Sequence, residues 1–520
     1  MNVSNAAILC RKKPLAQEQY VCLFTVLFSA LAHGYRYLSM SFSGDAMLLS
    51  QVGEEAYQTS LGRFMQPVYW QIRGYITAPL LIGLFATAFL CTSALLAVRM
   101  LRIEKPLHIA LVCGILTANE TLAVSNATYL PWTDVYMLAL LLCFAGVYVF
   151  MNCRFGLWLS SIFYCLSLGL YQSYLPAAST MLILLFLLET LEGKRTADIW
   201  RRGLLSCASL VMGLLLYALT LNAILALTGG QASQDYNGVG RVGLVPLSEM
   251  LPLLRNTFLD PLRLLFGLSD TPVMTWHITT VPALLNIAIF FLTAFLIVKR
   301  LKGLPSTSLM LVAFLLLMLP LSINFIQFIS KGISSGLTIY AYNLVYLLPV
   351  VLLSHGGASA SPIGAHLCRA AQLGVCMLLF VFLSLNIRTS NTMALKRDLE
   401  FSATTSAMSR LLDQAEQTDG YIPGETPVVL VGMLPSSRIA MERSGFEEIA
   451  RAQGMRYTYG ASYETANYWY LQMALGEPIN LVSHEERVRL TQHPDIAMLS
   501  AFPSDGCCAM IDGHLYIRIN

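Results

Sequence analysis

About eleven runs of mainly apolar residues recur along this chain, most of them near the roughly 20 residues that a helix needs to cross a hydrocarbon core. They lie near 20–40, 78–98, 106–124, 135–151, 156–173, 176–191, 204–227, 279–298, 307–325, 341–355 and 370–387. Lipid offers no partner for a backbone N–H or C=O, so such runs fold as helices that satisfy their own peptide groups. A polytopic α-helical membrane protein follows. The composition agrees, with 56% hydrophobic and 12% charged residues, about half the charged share of a soluble domain. The net charge of +3 is small and gives no basis for a nucleic-acid partner.

The loops orient the runs. Arg11, Lys12 and Lys13 precede the first one, with no cleavable signal pattern between Met1 and Gln19, and predict a cytoplasmic N-terminus. Alternate loops then carry Arg99, Arg102 and Lys105, then Arg154, then Lys194, Arg195, Arg201 and Arg202, then Lys299, Arg300 and Lys302, then Arg369. The opposite loops hold only Arg63, Arg73, Arg241, Arg255, Arg263 and Lys331. This positive-inside asymmetry suits an odd number of spans and an extracytoplasmic C-terminal region.

Two of the outer loops are long. In the first, from about Ser41 to Thr77, the stretch Glu54 to Trp70 mixes aromatic and polar residues and reads as a helix lying in the interface. In the second, about Gly229 to Ile278, the apolar stretch Leu251 to Leu268 carries Arg255, Asp260 and Arg263 and reads the same way. From Arg388 the character changes. Residues 391–417 are polar and helical, Pro427 to Leu434 suits a buried strand, and Cys508 to Asn520 reads as a hairpin around Asp512-Gly513. The organisation is therefore a transmembrane domain, 1–387, and a small mixed α/β domain, 388–520.

Candidate chemistry concentrates in the first outer loop. Asp45 follows the first span, Glu54 and Glu55 come nine and ten residues later, and Arg63 follows in Leu61-Gly62-Arg63-Phe64. A carboxylate at the membrane surface can take a proton from an incoming hydroxyl. A nearby arginine can hold a phosphate through paired hydrogen bonds. The plain alternative is a set of solvated loop charges. Glu120 and Asp134 lie toward the outer end of their spans, where acids are costly and often functional, although Asp134 also suits a helix cap. Lys331 can grip a phosphate or reach for water as an interfacial lysine, and Tyr171 and Gln172 can line a sugar site or form a polar turn.

No Ser-His-Asp set, zinc spacing or nucleotide fingerprint is visible, and most of the twelve cysteines lie in apolar runs where they pack as small hydrophobes. Asp45, the Gly62-Arg63-Phe64 triplet, the Tyr171-Gln172 turn, the strand Val428 to Gly432, Tyr468-Trp469-Tyr470 and Phe502-Pro503 recur in one order. In that order the chain resembles the Gtr-type O-antigen glucosyltransferases, within the GT-C class of membrane glycosyltransferases. The resemblance implies a GT-C-like fold in the bacterial inner membrane. It implies transfer of a sugar, usually glucose, from undecaprenyl phosphate to a surface polysaccharide on the periplasmic face. It implies Asp45 as the catalytic carboxylate with Glu54 or Glu55 sharing the work. Arg63 would hold the donor phosphate, assisted by Lys331 or Arg241, and no cofactor is required, with room for a divalent cation. A flippase for lipid-linked sugar and a polysaccharide polymerase are the competing readings. A flippase would bury charges within its spans and often repeat its halves; a polymerase would rest on outer-loop arginines.

Overall fold

A computed structural model describes residues 16–42, 54–233, 246–268, 280–329, 336–355, 362–432, 434, 449 and 475–520. The first helices are α1 (Gln17–Leu38), α2 (Glu54–Ser60), α3 (Met65–Arg73), α4 (Pro79–Met100), α5 (Pro106–Thr117) and α6 (Glu120–Thr128). Then come α7 (Thr133–Asn152), α8 (Gly156–Leu170), α9 (Leu175–Leu191), α10 (Thr196–Thr228), α11 (Leu247–Leu265) and α12 (Thr280–Leu301). The series ends with α13 (Ser306–Ile329), α14 (Tyr340–Asn343), α15 (Leu347–Ser354), α16 (Pro362–Glu416) and α17 (His484–Leu490).

Every apolar run is largely helical, but length separates them. Among the described residues, eight helices are long and apolar enough to cross a membrane, or nine if the bent pair α5–α6 is one span. The runs at 156–173 and 341–355 form the shorter apolar helices Gly156–Leu170 and Tyr340–Ser354. Helix α8 has 15 residues, about 22 Å at 1.5 Å per residue, which is short of a ~30 Å core. Length and composition thus support fewer crossings than the eleven expected.

The α5–α6 break is built from polar side chains. The two axes differ by 41°, and a helix that stops inside an apolar bundle leaves its last carbonyls without partners. Here the Tyr340 hydroxyl donates to the Leu116 carbonyl at 2.6 Å, His33 Nε2 to Thr117 at 3.0 Å, and Asn386 Nδ2 to Ala118 at 3.1 Å. Asn119 starts the next helix, its Oδ1 accepting from the Leu122 amide at 3.0 Å. At the far end of α6, Arg36 Nε donates to the Asn126 carbonyl and Arg397 Nε to Ala127, both at 2.9 Å. Cations suit that end because a helix C-terminus carries partial negative charge. Three elements far apart in sequence, α1, α14 and α16, therefore hold one broken helix.

Helix α16 runs unbroken through 387–388, because no glycine or proline follows Gly374 within it. Its 55 residues extend about 80 Å. Beyond the apolar part it meets the exit of α1. Asp398 accepts from the Tyr35 hydroxyl at 2.6 Å and from the Ser39 and Ser41 hydroxyls, and Phe401 packs edge-on to Phe42 with centroids 6.1 Å apart.

The end of α16 packs on a four-stranded sheet of order β2-β1-β4-β3, formed by β1 (Pro427–Val431), β2 (Asn480–Leu481), β3 (Cys508–Ile511) and β4 (His514–Arg518). The strand expected at 427–434 and the hairpin both form. Asp512 and Gly513 have φ of 47° and 77°, the left-handed pair that a two-residue hairpin turn requires. Met408 and Leu411 of α16 share a core with Val428, Leu430, Phe502 and Leu515. The Tyr468-Trp469-Tyr470 motif lies outside the described residues.

Helix α11 turns apolar side chains outward on one face and polar ones inward on the other. Leu251 is 75% exposed, while Gln327 Nε2 donates to Asp260 at 2.6 Å and Asn324 Nδ2 to the Thr257 carbonyl at 3.1 Å, fastening α11 to α13. The aromatic stretch of the first loop forms two short helices, α2 and α3, where one was expected. Gln66, Tyr69, Trp70 and Arg73 of α3 are all buried, so α3 is plugged into the protein by its polar-aromatic face.

Candidate functional site

The loop after the first helix and the Tyr-Gln turn, more than 100 residues apart in sequence, meet directly. Gly62 bends the chain with φ of 82°, a conformation that disfavours any side chain. Gln172 Nε2 donates to the Leu61 carbonyl at 2.9 Å and to the Tyr217 hydroxyl at 3.0 Å. The Arg63 guanidinium then lies 5.0 Å over the Tyr171 ring and donates from Nη1 to Gln58 Oε1 at 3.0 Å. The same Gln58 donates from Nε2 to Glu54 at 2.6 Å. Glu54, Gln58, Arg63 and Tyr171 thus form one chain of contacts, with a cation over a ring face as its hub.

A Cβ on Gly62 would stand 2.8 Å from Gln172 Nε2 and would also strike the Tyr217 hydroxyl. Strain and overlap act together here. Gly62→Ala is expected to lower unfolding stability by about 1–3 kcal/mol, read from denaturation of the purified protein. An unchanged midpoint would mean that the loop is not held by the turn.

Glu55 lies apart from Arg63 and faces the chain after α3. The Tyr75 phenol is pushed up to about 12, by burial first and by its hydrogen bond with the Glu55 carboxylate second. The chain after α10 also touches this region, the Ser233 amide donating to the Ser60 carbonyl at 2.9 Å. Arg241 follows eight residues later but lies outside the described residues, as do Asp45 and Lys331.

A second group surrounds Asp134. Its Oδ2 accepts from the Tyr69 hydroxyl at 2.8 Å and stands 3.5 Å from Arg73 Nε; its Oδ1 accepts from the Val135 amide at 3.0 Å. Burial, and then the Asp134 charge, hold the Tyr69 phenol above its ordinary range, so the phenol keeps its proton and donates. Asp134 is therefore not the helix cap that its position suggests. It sits within the first turn of α7 and is wholly buried against α3. The two groups adjoin through Tyr136, whose ring lies 4.4 Å from that of Tyr171. Helix α3 is fixed between them by Gln66 Nε2, which donates to the Leu170 carbonyl at 2.7 Å.

Glu120 is in neither group. It opens α6 at the break, with the whole of α6 still to run before the loop, so it lies deeper in the bundle than its distance along the sequence suggests. Arg73 and Arg36 were legible only as charges beside apolar runs. Arg73 could have been found from its spacing, because Tyr69, Trp70 and Arg73 share one face of a short helix at offsets of three and four. No group of three metal-ligating side chains is placed to hold a metal ion among the described residues.

This arrangement can orient hydroxyl-rich and phosphorylated groups by a cation, aromatic faces and amides. Residues 36–353 match the model of a family described as Glucosyl transferase GtrII, which is well over half of the chain. No curated protein and no solved structure matches it.

Proposed function

The chain belongs to the GtrII glucosyl transferase family, and we propose that it moves glucose from a polyprenyl-phosphate carrier to a surface polysaccharide such as O-antigen. In this reading the carrier is undecaprenyl phosphate and the reaction takes place on the periplasmic face of the bacterial inner membrane. The N-terminus is then cytoplasmic and the 388–520 domain periplasmic, as the positive-inside asymmetry of the loops favours.

The observation that carries the proposal is the docking of Arg63 and Glu54 onto the Tyr171-Gln172 turn. It gathers a cation, a carboxylate, an aromatic face and an amide at one end of the bundle. The leaving group of the reaction is a lipid phosphate, and fixed positive charge stabilises it as it departs. Arg63 supplies that charge, with Lys331 or Arg241 assisting. The acceptor hydroxyl gains nucleophilicity as a carboxylate takes its proton. Asp45 has that role, with Glu54 placed to tune Arg63 through Gln58 and Glu55 set aside beside Tyr75. Tyr171 and Gln172 bind sugar or acceptor, while Asp134 holds α3 through Tyr69 and Arg73 and Glu120 lies outside this group at the α5–α6 break. Direct displacement inverts the anomeric centre.

The test is transfer itself. Purified protein is given polyprenyl-phosphate-glucose and a lipid-linked acceptor, and glucose on the acceptor is counted. No transfer from any polyprenyl-phosphate hexose would overturn the reading. Arg63→Ala removes a hydrogen bond from a charged group, about 1.5–3 kcal/mol. It is expected to raise the donor KM roughly 10- to 100-fold while the acceptor KM stays put. An unchanged donor dependence would take Arg63 out of the site.

A further inference from the structure

We propose that Trp70, Arg73 and Trp132 form a binding site for a neutral hexose ring, next to the Arg63 group and distinct from it. Helix α3 turns Trp70 and Arg73 onto one buried face, and the Trp70 ring stands edge-on to Trp132 with centroids 6.3 Å apart and tilted to Tyr75 at 6.0 Å. Arg73, Trp70 and Trp132 are 6%, 0% and 5% exposed. Yet Arg73 Nε, Nη1 and Nη2 and both indole nitrogens lack hydrogen-bond partners. Buried donors in native proteins are almost always satisfied. A guanidinium and two indoles left open within one aromatic patch select a ligand rich in acceptor oxygens.

Charge decides between the two candidate ligand classes. Asp134 already stands beside Arg73 and offsets it, and its own oxygens are occupied by Tyr69 and Val135. A phosphate would add an uncompensated anion to a buried site, which is strongly disfavoured. Hydroxyls add no charge, accept from the guanidinium and indole N–H groups, and leave the ring's C–H faces to the aromatic walls. Gly62 and Gly74 flank the segment that carries α3, with φ of 82° and 95°.

The hexose can be the glucose of the donor or a sugar of the acceptor, and that choice rests on the function proposed above. Full-length protein in nanodiscs is titrated with methyl glucoside, and contact is read by saturation-transfer NMR, with inorganic phosphate as competitor. Saturable contact is expected, weakened about tenfold in Arg73→Gln and in Trp132→Phe and indifferent to phosphate. Trp132→Phe keeps an aromatic face while removing the N–H and part of the indole, which covers the case in which Arg73→Gln does not fold. Contact unchanged in both folded variants, or displaced by phosphate, overturns the site. In transfer assays Trp132→Phe is expected to raise the KM of the donor or of the acceptor, and whichever rises names the occupant; neither rising overturns the site while the glucosyl transfer stands. Intact glucoside contact without any transfer would overturn the proposed function and leave this site standing.

Discussion

Protein carrying Asp45→Asn is expected to insert and fold as before but to transfer glucose about 10²- to 10⁴-fold more slowly, the usual worth of a positioned general base. The amide keeps the size of the side chain and removes its capacity to take a proton. The comparison that gives this result meaning is Glu54→Gln. Glu54 accepts a hydrogen bond from Gln58, which in turn accepts from Arg63. Its loss should loosen Arg63 and fall mainly on donor KM, with a smaller change in kcat. Rates of transfer at saturating donor and acceptor separate the two. Full activity in Asp45→Asn would discard the assigned base and move attention to Glu54.

The largest effect on stability is expected at Asp134. Its carboxylate is fully buried and faces the Arg73 guanidinium, itself nearly as buried. Asp134→Ala leaves a cation in the interior with no counter-charge and strands the Tyr69 hydroxyl, a loss of about 3–5 kcal/mol. Unfolding of the detergent-solubilised protein reads it. The double variant Asp134→Ala with Arg73→Met removes the stranded charge and is expected to regain much of the loss. If the double variant is no more stable than the single one, Asp134 is not held through Arg73, and the attachment of α3 to α7 has another origin.

The local motifs were readable because each depends on near neighbours. Asp512-Gly513 announces a hairpin since only a few residue types tolerate two left-handed positions in a row, and the turn is there. Gly62-Arg63-Phe64 and Tyr171-Gln172 were legible as candidates one at a time. That they touch was not legible, because nothing in either segment records the other. The same holds for Arg73, which stands in the sequence as one more loop charge and in the fold as the partner of Asp134.

The amino-acid order by itself determined a body of long apolar helices with a small terminal sheet, because burying a peptide group in an apolar medium without its hydrogen bond costs more than side-chain choice can offset. That constraint acts within each segment, so it can be read segment by segment. Only the tertiary structure decided that α5–α6 breaks and is capped by Tyr340, His33 and Asn386. Only it decided that α16 carries Asp398 back onto the end of α1, and that α3 is buried between two polar groups. Those contacts join residues up to some 360 positions apart, and their free energies depend on shape, distance and local dielectric after packing, which no single segment contains.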